Sequence, residues 1–222
     1  MADEESTQGI EPLSFTNWKA KAERENRKPT YKSLTRSAPQ KKKEVHESLL
    51  REQAYLCCYC GDEISEQTSH IEHFRPKSDY TPLELDYNNL HASCLRDVGE
   101  LQQREPDYLL HCGHKKGNLF DETRHISPQD ENCESRFQYT LNGEIKPTDA
   151  DDDAASKMIE ILALDTLRLN NRREETMLGI FNDDFLLTAS KEELQIIAQR
   201  ARGQQTRFCH VIARYAEQLL TP

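Results

Sequence analysis

Ser69-His70-Ile71-Glu72-His73-Phe74-Arg75-Pro76-Lys77-Ser78 is the stretch on which the reading of this chain turns. Residues from Thr68 to His73 read as a strand, and Pro76, Ser78, Asp79 and Pro82 mark 74–87 as a loop. An acid and an imidazole stand side by side where the strand gives way. Phosphodiester hydrolysis needs a base to deprotonate water, a metal to neutralise charge on the phosphate, and cations to hold the backbone. His73 suits the first, because neutral imidazole accepts a proton near pH 7. Glu72 suits the second, as a hard oxygen ligand for Mg²⁺ or Mn²⁺. Arg75 and Lys77, with Lys115 and Lys116 further along, suit the third. Neighbours on a regular strand face opposite ways, so Glu72 and His73 share a phosphate only if the strand bends or ends there. Pro76 fits an ending.

Cysteines lie on both sides of this stretch. Cys57-Cys58-Tyr59-Cys60-Gly61 contains a C-x-x-C, a spacing that holds one side of a tetrahedral Zn²⁺ but also marks redox sites. Cys94 and Cys112 supply a second pair if the polar, inserted stretch 95–111 loops out. The expected structural zinc ligands are therefore Cys57, Cys60, Cys94 and Cys112. Such a closed site orders a region poor in apolar residues. Cys58 reads as a small packed side chain, and Cys133 and Cys209 as ordinary buried thiols.

Further out, a second strand is expected at Asn89–Ser93 and a short helix entering at Cys112. A β-hairpin is expected over 136–147, turning at Asn142-Gly143 with positive φ. A helix over 40–54 carries Val45, Leu49 and Leu50 on one face, behind Pro39, and a shorter helix surrounds Trp18. Beyond the acidic break at 149–153, helices dominate. Met158, Ile159 and Leu162 share a face, and Ser190 with Glu193 forms a capping box. Phe208, Val211, Ile212, Tyr215 and Leu219 form the stripe of a last helix. The expected organisation is a disordered tail at 1–12, helices at 13–54, a motif-dense domain with its hairpin at 55–148, and a helical region at 149–222. His46, His125 and His210 have no partner motif and read as structural. His91 and His111 flank the cysteines, and His70 either packs near the zinc or joins the catalytic metal.

The chain has 222 residues and a formal net charge of −10, which argues against a nucleic-acid partner until the distribution is considered. Residues 19–43 hold Lys19, Lys21, Arg24, Arg27, Lys28, Lys32, Arg36, Lys41, Lys42 and Lys43 against Glu23 and Glu25, whereas 121–165 is strongly acidic. The basic segment is either a backbone-binding surface or a solvated helix face. Met1-Ala2-Asp3-Glu4-Glu5 lacks the apolar core of a secretory signal, and no apolar run reaches membrane-spanning length. The expectation is a cytoplasmic protein with reduced thiols and no membrane partner.

Cys57-x-x-Cys60, Glu72-His73-x-x-Pro76, Asn89-Leu90, Cys94 and Cys112-x-x-x-Lys116-Gly117 together resemble the HNH endonuclease pattern. The resemblance implies an α+β fold with a ββα-metal core, a structural zinc site and flanking N- and C-terminal helices. It implies His73 as general base, Glu72 as ligand of the catalytic metal, and Asn89 as a residue bracing the loop that carries His73. The family pattern puts the last ligand where this chain has Gly113, so His114 takes that role, with Asn118 as the fallback. The longer run His70–Ser78, then Ile126-Ser127-Pro128, Cys133-Glu134 and Gly143, is similar to the Septu-type anti-phage nuclease PtuB, also found as a retron-associated effector. That subfamily works beside a PtuA-type ATPase, which implies a defence nuclease cutting DNA, or alternatively tRNA. A non-catalytic, zinc-stabilised nucleic-acid-binding module is the competing function. The two separate on whether His73 matters to any activity.

Overall fold

The computed structural model describes residues 9–105 and 107–221. Of the expected disordered tail, residues 1–8 lie outside the described residues. Gly9 donates its N–H to Glu52 Oε2 at 3.2 Å, and Thr16 Oγ1 donates to Glu11 at 2.6 Å. The fold is α+β: among the described residues, helices accompany two small antiparallel two-stranded sheets. The chain divides into two compact units, Met1–Cys57 with Ile64–Arg96 and Cys58–Glu63 with Asp97–Pro222. No helix among the described residues is long and apolar enough to cross a membrane.

The first unit contains α1 (Leu13–Arg24), α2 (Tyr31–Ser37), α3 (Pro39–Glu52), β1 (Ser69–His73) and β2 (Leu90–Cys94). Pro39 opens α3, where its fixed φ costs nothing. Val45, His46, Leu49 and Leu50 form the buried face of α3, which packs on α1, α2 and β2. At its end the side chain of Gln53 acts as a rung of sheet. Its Nε2 donates to Ala92 O at 2.8 Å and its Oε1 accepts from Ala92 N at 2.7 Å.

His46 faces Ser69 Oγ at 2.9 Å in this core, and burial holds its pKa down to about 4. The folded pKa lies below the unfolded value of about 6.5. Its contribution to stability is therefore complete above pH 6.5 and is lost as pH falls toward 4. Urea unfolding at pH 7 and pH 4.5 is expected to show a smaller acid loss in His46→Gln than in wild type. Equal losses would remove His46 as the cause.

The second unit contains α4 (Val98–Arg104), α5 (Cys112–Lys116), β3 (Phe137–Tyr139), β4 (Ile145–Pro147), α6 (Asp153–Leu162), α7 (Leu167–Leu178), α8 (Asp183–Thr188), α9 (Lys191–Gly203) and α10 (Cys209–Leu220). The hairpin forms with Phe137 opposite Pro147 and Tyr139 opposite Ile145. In its turn only Gly143 takes positive φ, at +80°, and a side chain there would strike the Asn170 carbonyl. The expected capping box at Ser190 and Glu193 opens α9, which packs against α10. The stripe of α10 is shorter than its sequence suggested, since Leu219 is exposed while Val211, Ile212, Ala213 and Ala216 are buried. The stretch 95–111, which read as a polar insertion, contains helix α4.

Arg173 is the largest fully buried side chain, 1% exposed, on the face of α7 that also buries Leu169 and Met177. It donates to Gly143 O at 2.8 Å, Asn170 Oδ1 at 3.0 Å and Leu164 O at 2.5 Å. The guanidinium thereby ties the hairpin turn to α7 and to the connection that leads into it. Arg173→Leu strands those buried acceptors and is expected to cost roughly 3 kcal/mol in urea unfolding. A loss under about 0.5 kcal/mol, the range of ordinary surface substitutions, would refute this role.

Candidate active site and metal centre

β1 and β2 pair antiparallel with Glu72 opposite His91 and His73 opposite Leu90. The strand ends at His73, and Phe74 N makes a last bond to Asn89 O at 3.0 Å. Glu72 and His73 are 8% and 5% exposed. His70 Nε2 lies 3.6 Å from Glu72 Oε2, as the two-residue spacing on one strand face requires. His70 thus accompanies the carboxylate.

The imidazole of His73 is held on two sides. Its Nε2 lies 3.1 Å from the Glu84 carbonyl oxygen, which can only accept, so Nε2 carries the hydrogen and the basic lone pair resides on Nδ1. The rings of Tyr31 and His73 pack T-shaped, with centroids 4.5 Å apart. Glu84 serves twice, because its carboxylate accepts from Tyr31 N at 2.9 Å. Burial, then the charge of Glu72, pushes the Tyr31 phenol well above its ordinary pKa.

Asn89 is buried and its side chain faces backbone throughout. Oδ1 accepts from Arg75 N at 2.7 Å, while Nδ2 donates to Arg75 O at 3.0 Å and Leu83 O at 3.2 Å. These bonds bracket the loop that follows β1 next to the Glu84 carbonyl. Tyr31 and Glu84 were missed in the sequence. The clue for Tyr31 was Thr30, whose side chain caps α2 reciprocally with Ser33. Glu84 contributes through its carbonyl, which no residue pattern encodes.

The four expected zinc ligands come together. Cys57, Cys60, Cys94 and Cys112 are all buried, with Sγ atoms within 4.8 Å of one another. A tetrahedron of thiolates around Zn²⁺ has edges of about 3.8 Å, so the donor set fits that ion. The surroundings suit thiolates. Cys94 N donates to Cys57 Sγ at 3.4 Å, and His111 Nδ1 lies 3.2 Å from Cys112 Sγ. Gly61 follows the knuckle at φ +69°, and any side chain there would collide with the His210 ring. Asp62, next in line, pairs with Arg172 at 2.6 Å and Arg207 at 2.9 Å. Cys133 and Cys209, expected to be buried, are instead half-buried; burial raises the Cys133 thiol to about 11.

On α5, His114 is half-buried, Lys115 is exposed, and Lys116 is 1% exposed. A side chain that deep does not meet a phosphate from solvent, so of the two lysines Lys115 has the exposure that backbone contact needs. Arg75 is half-buried, and Lys77 and Asn118 are exposed.

No known protein-family profile matches the chain. It is similar to a protein of Vibrio cholerae serotype O1 biovar El Tor provisionally named the retron Vc95 HNH endonuclease. The two are 31% identical over 109 residues, 48% of this chain and 48% of the relative. It is also similar to an Escherichia coli protein provisionally named the retron Ec83 HNH endonuclease, at 25% identity over 173 residues, 63% of this chain and 67% of that one. The chain thus spans about half the length of the first relative and two thirds of the second. These two distant homologues support a place among the HNH endonucleases.

Proposed function

We propose that the protein is a metal-dependent HNH endonuclease that hydrolyses phosphodiester bonds of DNA in an anti-phage defence system. The observation that carries this reading is the held imidazole of His73 next to Glu72 at the end of β1. The names of the two retron-associated relatives support it. In this reading β1, β2 and α5 are the elements of a ββα-metal core. Glu72, with His70 at its side, is the carboxylate for Mg²⁺ or Mn²⁺, and His114, or Asn118 in its place, is the further ligand that the family pattern offers. A bound divalent ion supplies positive charge to the phosphate and the leaving oxygen. His73 takes the proton of the attacking water on Nδ1, because the Glu84 carbonyl fixes the hydrogen on Nε2. Asn89 keeps that carbonyl in place, and Arg75, Lys77 and Lys115 neutralise backbone phosphates. A zinc ion held by the four cysteines would be structural, since a closed thiolate set leaves no position for substrate.

The test offers plasmid DNA and total tRNA to purified protein with Mg²⁺, Mn²⁺ or no added divalent ion, each with and without a PtuA-type ATPase partner. Metal-dependent loss of supercoiled plasmid is the expected result. Cutting of tRNA alone would replace DNA as the target. A protein that retains zinc and fold yet cuts neither would overturn the assignment in favour of a binding module.

A further inference from the structure

Four of the ten basic residues of segment 19–43 are spoken for. Lys19 pairs with Glu11, Arg27 with Glu25, Lys41 with Glu44 and Lys43 with Glu66. Lys42 differs. Its Nζ sits over the ring of Tyr31, 5.4 Å from the centroid, and Lys77 Nζ sits over the same ring at 5.3 Å. Among the described residues neither ammonium has a carboxylate at ion-pair distance. The ring that carries both is the one packed T-shaped with His73. Two cations brought from distant parts of the chain onto one aromatic ring repel each other, and burial with the charges of Arg96 and Lys77 pulls the Lys42 ammonium below its ordinary range. A surface patch serving only solubility has no reason to hold like charges this way. An anion arriving beside His73 would relieve both the repulsion and the desolvation.

We propose that Lys42 and Lys77, platformed on Tyr31, form a subsite for a nucleic-acid backbone phosphate next to His73. The inference rests on the nuclease reading and extends it. It places the substrate backbone against the N-terminal helices, and it singles out Lys42 among the ten basic residues of its segment. Tyr31 acts as a positioning residue, holding the lysines by cation–π attraction while its ring packs T-shaped with the imidazole.

The experiment is equilibrium binding of a DNA duplex and, separately, of tRNA to the full chain with no divalent ion added, across a series of salt concentrations. Lys42→Gln and Lys77→Gln are each expected to flatten the slope of log K against log salt by about one, and the double variant by about two. Lys43→Gln, which removes a charge already paired with Glu66, is expected to leave the slope unchanged. The polymer whose slope responds is the one the subsite holds. Equal melting temperatures show that the variants fold. Wild-type slopes in the double variant, or no binding of either polymer by wild type at low salt, would overturn the subsite. Cleavage assays of wild type and His73→Ala run alongside. Cleavage lost in His73→Ala with unchanged slopes leaves the nuclease standing and removes the subsite. Flattened slopes without any cleavage do the reverse.

Discussion

His73→Ala is expected to lower phosphodiester cleavage at pH 7 by about 10²–10⁴-fold, the usual worth of a positioned general base. The fold should tolerate the change. His73 closes a strand, and the ladder bond after it runs through backbone atoms of Phe74 and Asn89. Asn89 holds the following loop by bonds to Arg75 and Leu83 backbone, none of which involves the imidazole. Cleavage and melting temperature should therefore separate. A variant that melts like wild type, keeps its zinc and cuts as fast would eliminate His73 as base. His73→Gln sharpens the test, because its amide can still donate to the Glu84 carbonyl but cannot take a proton from water. It should be nearly as slow as the alanine variant.

Cys57→Ala is expected to produce the opposite pattern, loss of fold before loss of chemistry. Structural zinc in small thiolate sites binds with an apparent free energy of about 10–16 kcal/mol. Whole domains are stable by only about 5–15 kcal/mol, so a site of this kind decides whether its surroundings fold. Cys57 Sγ also accepts the N–H of Cys94, so its removal takes a ligand and a bond to the end of β2 together. Metal analysis should find one zinc per wild-type chain and little in the variant, with circular dichroism showing lost structure and a collapsed melting transition. Cys58→Ala is the control, since Cys58 is only half-buried and stands outside the thiol cluster. An unchanged melt and unchanged zinc content in Cys57→Ala would show that the four thiols are ordinary core residues.

Local chemistry was legible in the sequence wherever it dictated geometry. Pro39, the Ser190 capping box and Gly143 each need a particular backbone, and they mark α3, α9 and the hairpin turn where the structure has them. The four cysteines were legible because a tetrahedral ion has few other ways to be satisfied. Side chains that imitate backbone stayed hidden. Gln53 on Ala92, and Gln218 on Tyr139 at 2.9 and 2.8 Å, look in sequence like exposed polar helix positions. Arg173 was hidden for the converse reason, since a charge at an otherwise apolar spacing argues against burial until its carbonyl partners are known. Of the candidate site, Glu72 and His73 could be named in advance. Tyr31 could not, because a seven-residue helix leaves too weak a periodic signal. Lys116 misled in the other direction, its depth being invisible to a reading by charge.

The amide of Asn89 has a consequence for how this protein can change over time. It grips the chain at Arg75 and again at Leu83, so the segment between them begins and ends at a fixed clasp. Length and composition within 78–82, beyond the Lys77 that rests on Tyr31, can drift, or be altered by an engineer, without transmitting slack to the imidazole. The hold on the imidazole and the reach of the loop are thereby set by different residues. The loop can be lengthened between Lys77 and Leu83 while the hold on the imidazole stays as it is.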